Sequence, residues 1–92
     1  MTDATTYLLF YTYVDDIVDR RGPHRPAHLE RIRAEKDAGR VIMAGAVGDP
    51  PNGGVFVFQG VPREHVERFA AGDPYVEAGL VTERRIEPWT LV

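Results

Sequence analysis

The sequence predicts an α+β fold of the ferredoxin-like type, with a four-stranded antiparallel sheet that carries two helices on one face. The first observation is the order of the predicted elements, which is strand, helix, strand, strand, helix, strand. The second is that each helical pattern has a proline in its first turn and a glycine at its end. The third is the length of 92 residues, which suits one hydrophobic core. We therefore treat residues 1–92 as a single domain.

The composition is that of a folded chain, with 43% hydrophobic and 27% charged residues. The formal net charge is -3 and the basic residues are interleaved with glutamates, so no nucleic-acid site is expected. Cysteine and serine are both absent, which excludes thiolate and serine nucleophiles and cysteine-based metal sites. The N-terminal segment lacks the basic region of a signal peptide, and the apolar run after it is too short to span a membrane. We expect a cytoplasmic protein that binds neither membranes nor nucleic acid.

The first strand is predicted over Tyr7–Val14, where nearly every residue is aromatic, β-branched or otherwise apolar. Because the side chains of a strand alternate between its faces, both faces are apolar. One face carries Leu8, Phe10 and Val14, and the other carries Tyr7, Leu9, Tyr11 and Tyr13. Residues 15–23 form a charged connection to the next element.

The first helix is predicted to begin at Pro26, because a proline in the first turn gives up no hydrogen bond. Leu29, Ile32 and the stem of Lys36 line one side of this helix. Gly39 can end it in the left-handed conformation that glycine adopts without strain. We expect this helix to cover part of one face of the sheet.

The next two strands are predicted over Val41–Val47 and Val55–Gln59. Residues 49–54 between them are rich in proline, asparagine and glycine, so the simplest connection is a hairpin. Gly53 and Gly54 are not followed by the lysine and serine or threonine of a phosphate-binding loop. We assign both glycines to the turn.

The second helix is predicted between Pro62 and Gly72. Val66, Phe69 and Ala70 have the i, i+3 and i+4 spacing of one buried stripe. This helix therefore completes the layer that covers the sheet.

A short helical turn follows, with Asp73 as its predicted N-cap, Pro74 as its first residue and Gly79 at its end. The last strand is predicted over Val81–Ile86. It completes the order of elements on which the fold prediction depends.

The predicted architecture leaves one face of the sheet without helices. The first and third strands carry large apolar side chains on both faces, so this open face needs a partner. For a chain of this length the simplest partner is a second copy, packed sheet to sheet about a two-fold axis. Tyr7, Tyr11 and Phe58 are candidates for the wall of this interface or of a ligand pocket.

His28 and Asp73 are the strongest candidates for chemistry, because each lies near a proline that fixes where its helix begins. If the two meet they form an acid/base pair, since imidazole titrates near neutral pH. His28 is placed at the border of the apolar stripe of its helix. The structural alternative is a half-buried histidine that bonds to the backbone, and an aspartate that only caps. Both roles of Asp73 are compatible, because one carboxylate oxygen can cap while the other accepts from a histidine N–H.

Other polar residues give weaker indications. Arg21 and Arg25 flank the start of the first helix and can hold an anionic or phenolic substrate, although either can also be a solvated loop charge. His24 and His28 have the i, i+4 spacing of a zinc pair, but they lack the His-Glu-x-x-His pattern and His24 precedes the helix. His65 has acidic neighbours and is expected at the surface. We expect no metal and no cofactor.

Short motifs are spread over the whole chain. They are Arg25–Leu29, Ala38–Ile42, Ala44–Gly45, Asp73–Tyr75, Ala78–Gly79 and Glu87–Trp89. Together they resemble the YciI family, whose domain is the YCII-related domain. The resemblance implies a dimeric α+β barrel, and it implies that His28 and Asp73 correspond to the family's proposed catalytic dyad. One member is similar to a dehydrochlorinase that acts on a chlorinated hydroxyhydroquinone, which implies acid/base elimination as a candidate chemistry.

The sequence leaves two functional hypotheses open. In the first, the protein is a homodimeric enzyme in which Asp73 orients His28, and the free ring nitrogen moves a proton on a small aromatic or anionic substrate. Arg21, Arg25 and Tyr75 then bind this substrate. In the second, it is a non-catalytic dimeric module for a small ligand or a protein. A histidine–aspartate hydrogen bond that opens onto a cavity favours the enzyme, and a buried pair without a cavity favours the module.

Overall fold

The computed structural model describes residues 5–92 and confirms the predicted α+β fold. The strands are β1 (Thr6–Tyr13), β2 (Val41–Val47), β3 (Gly53–Gln59) and β4 (Val81–Trp89). The helices are α1 (Ile17–Arg20), α2 (Arg25–Asp37), α3 (Arg63–Ala71) and α4 (Pro74–Glu77), with a 3₁₀ turn at Gly22–His24. The strands form one antiparallel sheet in the order β2-β3-β1-β4, which is the ferredoxin-like arrangement.

The hydrophobic core lies between one face of the sheet and the helices. The central strands β1 and β3 contribute Leu9 and Phe58, neither of which has exposed surface. The predicted stripe of α3 is confirmed, because Val66, Phe69 and Ala70 are all buried. Each large apolar side chain buried in this way contributes about 1.5–3 kcal/mol to folding.

Two predicted helix ends are confirmed by backbone conformation. Gly39 follows α2 with a φ of 79° and Gly79 follows α4 with a φ of 76°. A residue with a Cβ atom is strained in this left-handed region, which is why glycine ends both helices.

The charged connection after β1 contains the helix α1, which the sequence analysis did not predict. Ile17 anchors this four-residue helix and is 1% exposed, while its neighbours on either side are exposed. A single buried residue gives no periodic pattern, and the helix is too short to be recognised from its composition.

The assignment of Gly53 and Gly54 to the hairpin turn is wrong, because both lie in β3 and are buried. A Cβ atom on Gly53 would lie 2.5 Å from the carbonyl oxygen of Tyr11. A Cβ atom on Gly54 would lie 2.8 Å from the hydroxyl of Tyr13. Gly53 is therefore required for the close approach of the backbones of β3 and β1, whereas a side chain at Gly54 would displace the Tyr13 hydroxyl.

The strand β4 continues to Trp89, three residues beyond the predicted end at Ile86. Its pairing with β1 extends to the partners Trp89 and Thr6. Pro88 indicates a strand end by composition, but β4 is an edge strand, where a missing backbone N–H is tolerated.

A gap between α2 and the sheet positions the candidate site. The predicted apolar side of α2 is only half-buried at Leu29 and Ile32, and His28 is the buried residue of this helix. The helix faces the edge strand β2, whose residues 44–46 are Ala-Gly-Ala and fill little space. The placement of His28 at the border of the stripe is therefore wrong, and the space beside it stays open.

The face of the sheet opposite the helices carries an apolar stripe on β1, β2 and β3 and charged residues on β4. The apolar members are Leu8, Phe10, Met43, Val55 and Val57, and the charged ones are Glu83, Arg85 and Glu87. The guanidinium group of Arg85 lies 4.0 Å from the centroid of the Phe10 ring. No helix within residues 5–92 has the length and hydropathy needed to cross a bilayer.

Candidate active site

His28 and Asp73 meet in the fold, although 45 positions separate them in the sequence. The distance between His28 Nδ1 and Asp73 Oδ1 is 2.8 Å. Pro26 lies in the first turn of α2, two residues before His28, and Asp73 is the N-cap of α4. Two helix starts therefore hold the pair, and both side chains are buried, at 4% and 1% exposure.

The carboxylate of Asp73 accepts three hydrogen bonds. Oδ1 accepts from His28 Nδ1 and from the backbone N–H of Tyr75 at 3.0 Å, and Oδ2 accepts from the hydroxyl of Tyr11 at 2.8 Å. The expectation that the cap and the histidine use different oxygens is wrong, because Tyr11 occupies the second oxygen. A buried carboxylate with this many donors is held as the acceptor of each bond.

The hydrogen bond to Asp73 determines which ring nitrogen of His28 is available. Since an ionised carboxylate only accepts, Nδ1–H donates, and a neutral imidazole then keeps its lone pair on Nε2. Nε2 has no hydrogen-bond partner among residues 5–92 and is not sealed from solvent. This nitrogen can take up a proton from a bound molecule.

Aromatic side chains fix the plane of the His28 ring. The ring of Tyr75 stacks on it with a centroid distance of 3.7 Å and an interplanar angle of 5°. The ring of Phe56 meets it edge-on at 6.3 Å. The orientation of Nε2 is therefore set by packing as well as by hydrogen bonding.

A cleft of about 310 Å³ lies beside His28, between α2, β2 and the start of α4. Its lining residues are Tyr13, Arg21, Arg25, His28, Leu29, Ile32, Arg33, Lys36, Ala44, Gly45, Ala46, Phe56 and Tyr75. Four of the predicted site residues line it, namely Arg21, Arg25, His28 and Tyr75, and Asp73 lies behind His28. The cleft therefore combines apolar walls with cations, and no carboxylate lines it within residues 5–92.

Two tyrosine hydroxyls belong to this site. Tyr75 is 2% exposed, and its hydroxyl has no hydrogen-bond partner in the part of the chain that the structure describes. Burial raises the pKa of Tyr13 to about 12, with help from nearby Tyr75 and Asp73 and against the effect of Arg21 and Arg25. The Tyr13 hydroxyl therefore stays a hydrogen-bond donor at neutral pH.

Tyr11 has a role that the sequence analysis missed. Burial first, and then the nearby charge and hydrogen bond of Asp73, raise the pKa of Tyr11 well above its usual value. The neutral hydroxyl donates to Asp73 and does not line the cleft. Phe58, the other proposed wall residue on this face, has no exposed surface and belongs to the core, while Tyr7 is half-buried against it.

A second histidine–carboxylate contact joins α2 to α3. Glu35 Oε1 is 2.7 Å from His65 Nε2 and accepts from Arg40 Nε at 2.9 Å. Burial alone raises the pKa of Glu35, but the hydrogen bonds from Arg40 and His65 outweigh it, and the pKa lies below its usual value. The contact with Glu35 leaves His65 only partly exposed and joins α2 to α3.

No group of three or more histidine, aspartate and glutamate side chains converges within residues 5–92. His24 lies in the 3₁₀ turn before α2, as predicted. The basic residues Arg33 and Lys36, which the sequence analysis did not assign to the site, line the cleft.

Comparisons with known proteins extend over nearly the whole chain. The sequence model of the YCII-related domain family matches residues 5–90. Two relatives, each called Protein YciI, come from Escherichia coli O6:H1 and Shigella flexneri. Each is 28% identical over 95 aligned residues, which cover 94% of this chain and 97% of the relative.

One similar solved structure is 5-chloro-2-hydroxyhydroquinone dehydrochlorinase from Burkholderia phenoliruptrix in complex with 2,5-dihydroxybenzoquinone. The TM-score is 0.78 with 19% sequence identity, over 92% of this chain and 93% of that one. At this identity the likeness shows a shared fold.

Proposed function

The chain belongs to the family of YCII-related domains, and from this membership we propose that it is an enzyme that uses His28 and Asp73 for acid/base chemistry on a small organic substrate. One observation carries the proposal. His28 is bound to Asp73 through Nδ1, while Nε2 lies beside a cleft without a partner among the described residues. This arrangement meets the geometric criterion for the enzyme rather than for the non-catalytic module.

Each group has a distinct part in the proposed proton transfer. Asp73 keeps the proton on Nδ1 and stabilises the imidazolium ion that forms when His28 Nε2 accepts a proton. Arg21 and Arg25 stabilise the negative charge left on the substrate oxygen. Tyr75 contributes to the site through its ring, which stacks on His28 beside the cleft.

The walls of the cleft favour a hydroxylated aromatic or enolic substrate. Leu29, Ile32 and Phe56 provide apolar surface, and the cations favour the deprotonated form of an acidic hydroxyl. The structural neighbour is named for the removal of HCl from a chlorinated hydroxyhydroquinone and is complexed with a dihydroxybenzoquinone. Hydroquinones of this kind are therefore the first substrates to test.

The proposed chemistry balances without an added reactant. His28 removes a proton from a ring hydroxyl and returns a proton to a ring carbon, which converts the enol into its keto tautomer. If that carbon bears chlorine, loss of the proton from a second hydroxyl sends its electron pair through the ring and breaks the carbon–chlorine bond. The sum is loss of HCl and formation of a quinone.

A panel of chlorinated and unchlorinated hydroquinones tests the proposal. We expect chloride release from at least one chlorinated member and exchange of ring hydrogens with deuterated water for unchlorinated members. The measurements are ion chromatography for chloride and NMR for exchange. Binding of panel members without either reaction would contradict the enzyme and support the ligand-binding module.

We also propose that a second copy of the chain covers the open face of the sheet. The apolar stripe on β1, β2 and β3 supports this, because Met43 is 61% exposed in one chain and lies beside Val57. The charges on β4 have both signs, so a two-fold axis can bring Arg85 of one protomer near glutamates of its partner.

A further inference from the structure

We infer that the substrate is an elongated organic anion whose acidic head lies at His28 and whose carboxylate or phosphate arm is held by Arg33 and Lys36. The inference rests on the proposed function, because it assumes that the cleft beside His28 binds the substrate. It adds a second binding region about two turns along α2, which the family membership does not assign.

The spacing of the lining residues on α2 determines the length of this substrate. His28 and Lys36 are eight residues apart on the same helix face, which corresponds to about 12 Å along the axis. A single aromatic ring at His28 cannot span this distance. The interval is lined by Leu29 and Ile32, so the part of the substrate between its two acidic groups is apolar.

The cleft brings together four cations and no carboxylate within residues 5–92. Outside it, Arg20, Arg40, Arg63 and Arg85 make ion pairs with carboxylates, and Arg31, Arg68 and Arg84 make none in the same part of the chain. The four cations of the cleft, Arg21, Arg25, Arg33 and Lys36, make none in the same part of the chain. Arg33 and Asp37 have the i, i+4 spacing of a helical ion pair, but Arg33 lines the cleft and makes no ion pair with Asp37.

Four probes that share a phenol head separate the head from the arm. They are 4-hydroxybenzoate, 5-(4-hydroxyphenyl)pentanoate, the methyl ester of this acid, and 4-(4-hydroxyphenyl)butyl phosphate. Calorimetry gives the dissociation constants, and the ring resonances of His28 report whether the head is at the site. The dissociation constants of the phosphate and of the long acid, compared with each other, show which anionic group the arm carries.

The test variant combines Arg33→Gln with Lys36→Gln, and Arg68→Gln is the control, because Arg68 is exposed on α3 and does not line the cleft. We expect the long acid or the phosphate to bind wild type at least about tenfold more tightly than the ester does. The double variant should lose this difference in affinity, whereas Arg68→Gln should keep it. The affinity of the double variant for 4-hydroxybenzoate should equal that of wild type.

Equal affinities of the ester, the long acid and the phosphate would overturn the inference. Unchanged binding of both charged long probes by the double variant would overturn it as well. In either case, shifts of the His28 resonances on addition of 4-hydroxybenzoate would leave the proposed function intact. If no probe moves these resonances, the proposed function fails and the inference fails with it.

Discussion

At the scale of single residues, the site depends on the three hydrogen bonds that Asp73 accepts. They come from His28, Tyr11 and the backbone of Tyr75, so one buried carboxylate joins α2, β1 and α4. Removal of any donor leaves a buried acceptor partly unsatisfied, which costs more than the bond itself contributes.

The change Tyr11→Phe removes one of these donors without removing the ring. We expect the free energy of unfolding to fall by roughly 1–3 kcal/mol, because Asp73 Oδ2 loses its partner in a buried position. Urea unfolding measures this, with Tyr7→Phe as the matched control, since Tyr7 is half-buried and its hydroxyl makes no bond within residues 5–92. Equal stability of the two variants would show that the Tyr11 bond contributes nothing.

The change Asp73→Asn separates the capping role from the histidine role. Asparagine caps helices about as well as aspartate, so the fold should be retained. The amide no longer requires the proton of His28 on Nδ1, and we expect the tautomer protonated on Nε2 to become populated. Long-range proton–nitrogen spectra distinguish the tautomers, and a His28 that stays in its original form would contradict this role of Asp73.

His28 and Asp73 could be predicted because each lies in a motif with a proline and a titratable group. Tyr11 could not, since an aromatic residue on a strand has the same pattern whether its hydroxyl is free or bonded. Arg33 and Lys36 were also missed, because a charged residue on a helix is usually solvated and its direction depends on tertiary packing.

At the scale of elements, the contact between α2 and β2 determines where the cleft forms. The small residues of β2 leave space that Leu29 and Ile32 only partly fill. The sequence analysis assigned these two residues to a covered stripe, because periodicity gives the face of a helix but not the distance to its neighbour. The same limit applies to Gly53 and Gly54, whose close contacts with β1 are tertiary.

The link between α2 and α3 through Glu35 predicts a dependence of stability on acid pH. The pKa of Glu35 is below its usual value in the folded chain, so its stabilising contribution is present above the ordinary carboxyl pKa and is lost as the pH falls through the folded one. We expect wild type to lose more stability than Glu35→Gln when the pH is lowered from 6 through about 4.3 and below. Urea unfolding at several pH values measures this, and parallel curves for the two proteins would contradict the role of Glu35.

At the scale of the whole molecule, the fold class was predictable because the order of elements and their proline and glycine boundaries agree with one another. The open face was predictable from the order of elements, which places both helices on one side, and its apolar character from β1, which is apolar on both sides. The second copy proposed to cover this face is tested by a measurement of the mass in solution.

The proposed dimer predicts a molecular mass of twice 10.3 kDa in solution. Met43→Asp places a charge on the open face and should yield monomers, because a buried unpaired charge is costly at an interface. Val18→Asp is the control, since Val18 is 49% exposed on α1 and does not belong to the open face. Light scattering measures the masses, and a monomeric wild type at micromolar concentration would contradict the dimer.

The central claim is that His28 moves the proton, and the most direct test compares two histidine variants on the best substrate of the hydroquinone panel. His28→Gln should lower kcat/KM by about 10²- to 10⁴-fold, which is the usual effect of losing a positioned base, while circular dichroism shows an intact fold. His24→Gln removes a histidine that does not line the cleft and should retain wild-type kcat/KM. If His28→Gln also retains wild-type kcat/KM, His28 is not the base and the account of this site is wrong.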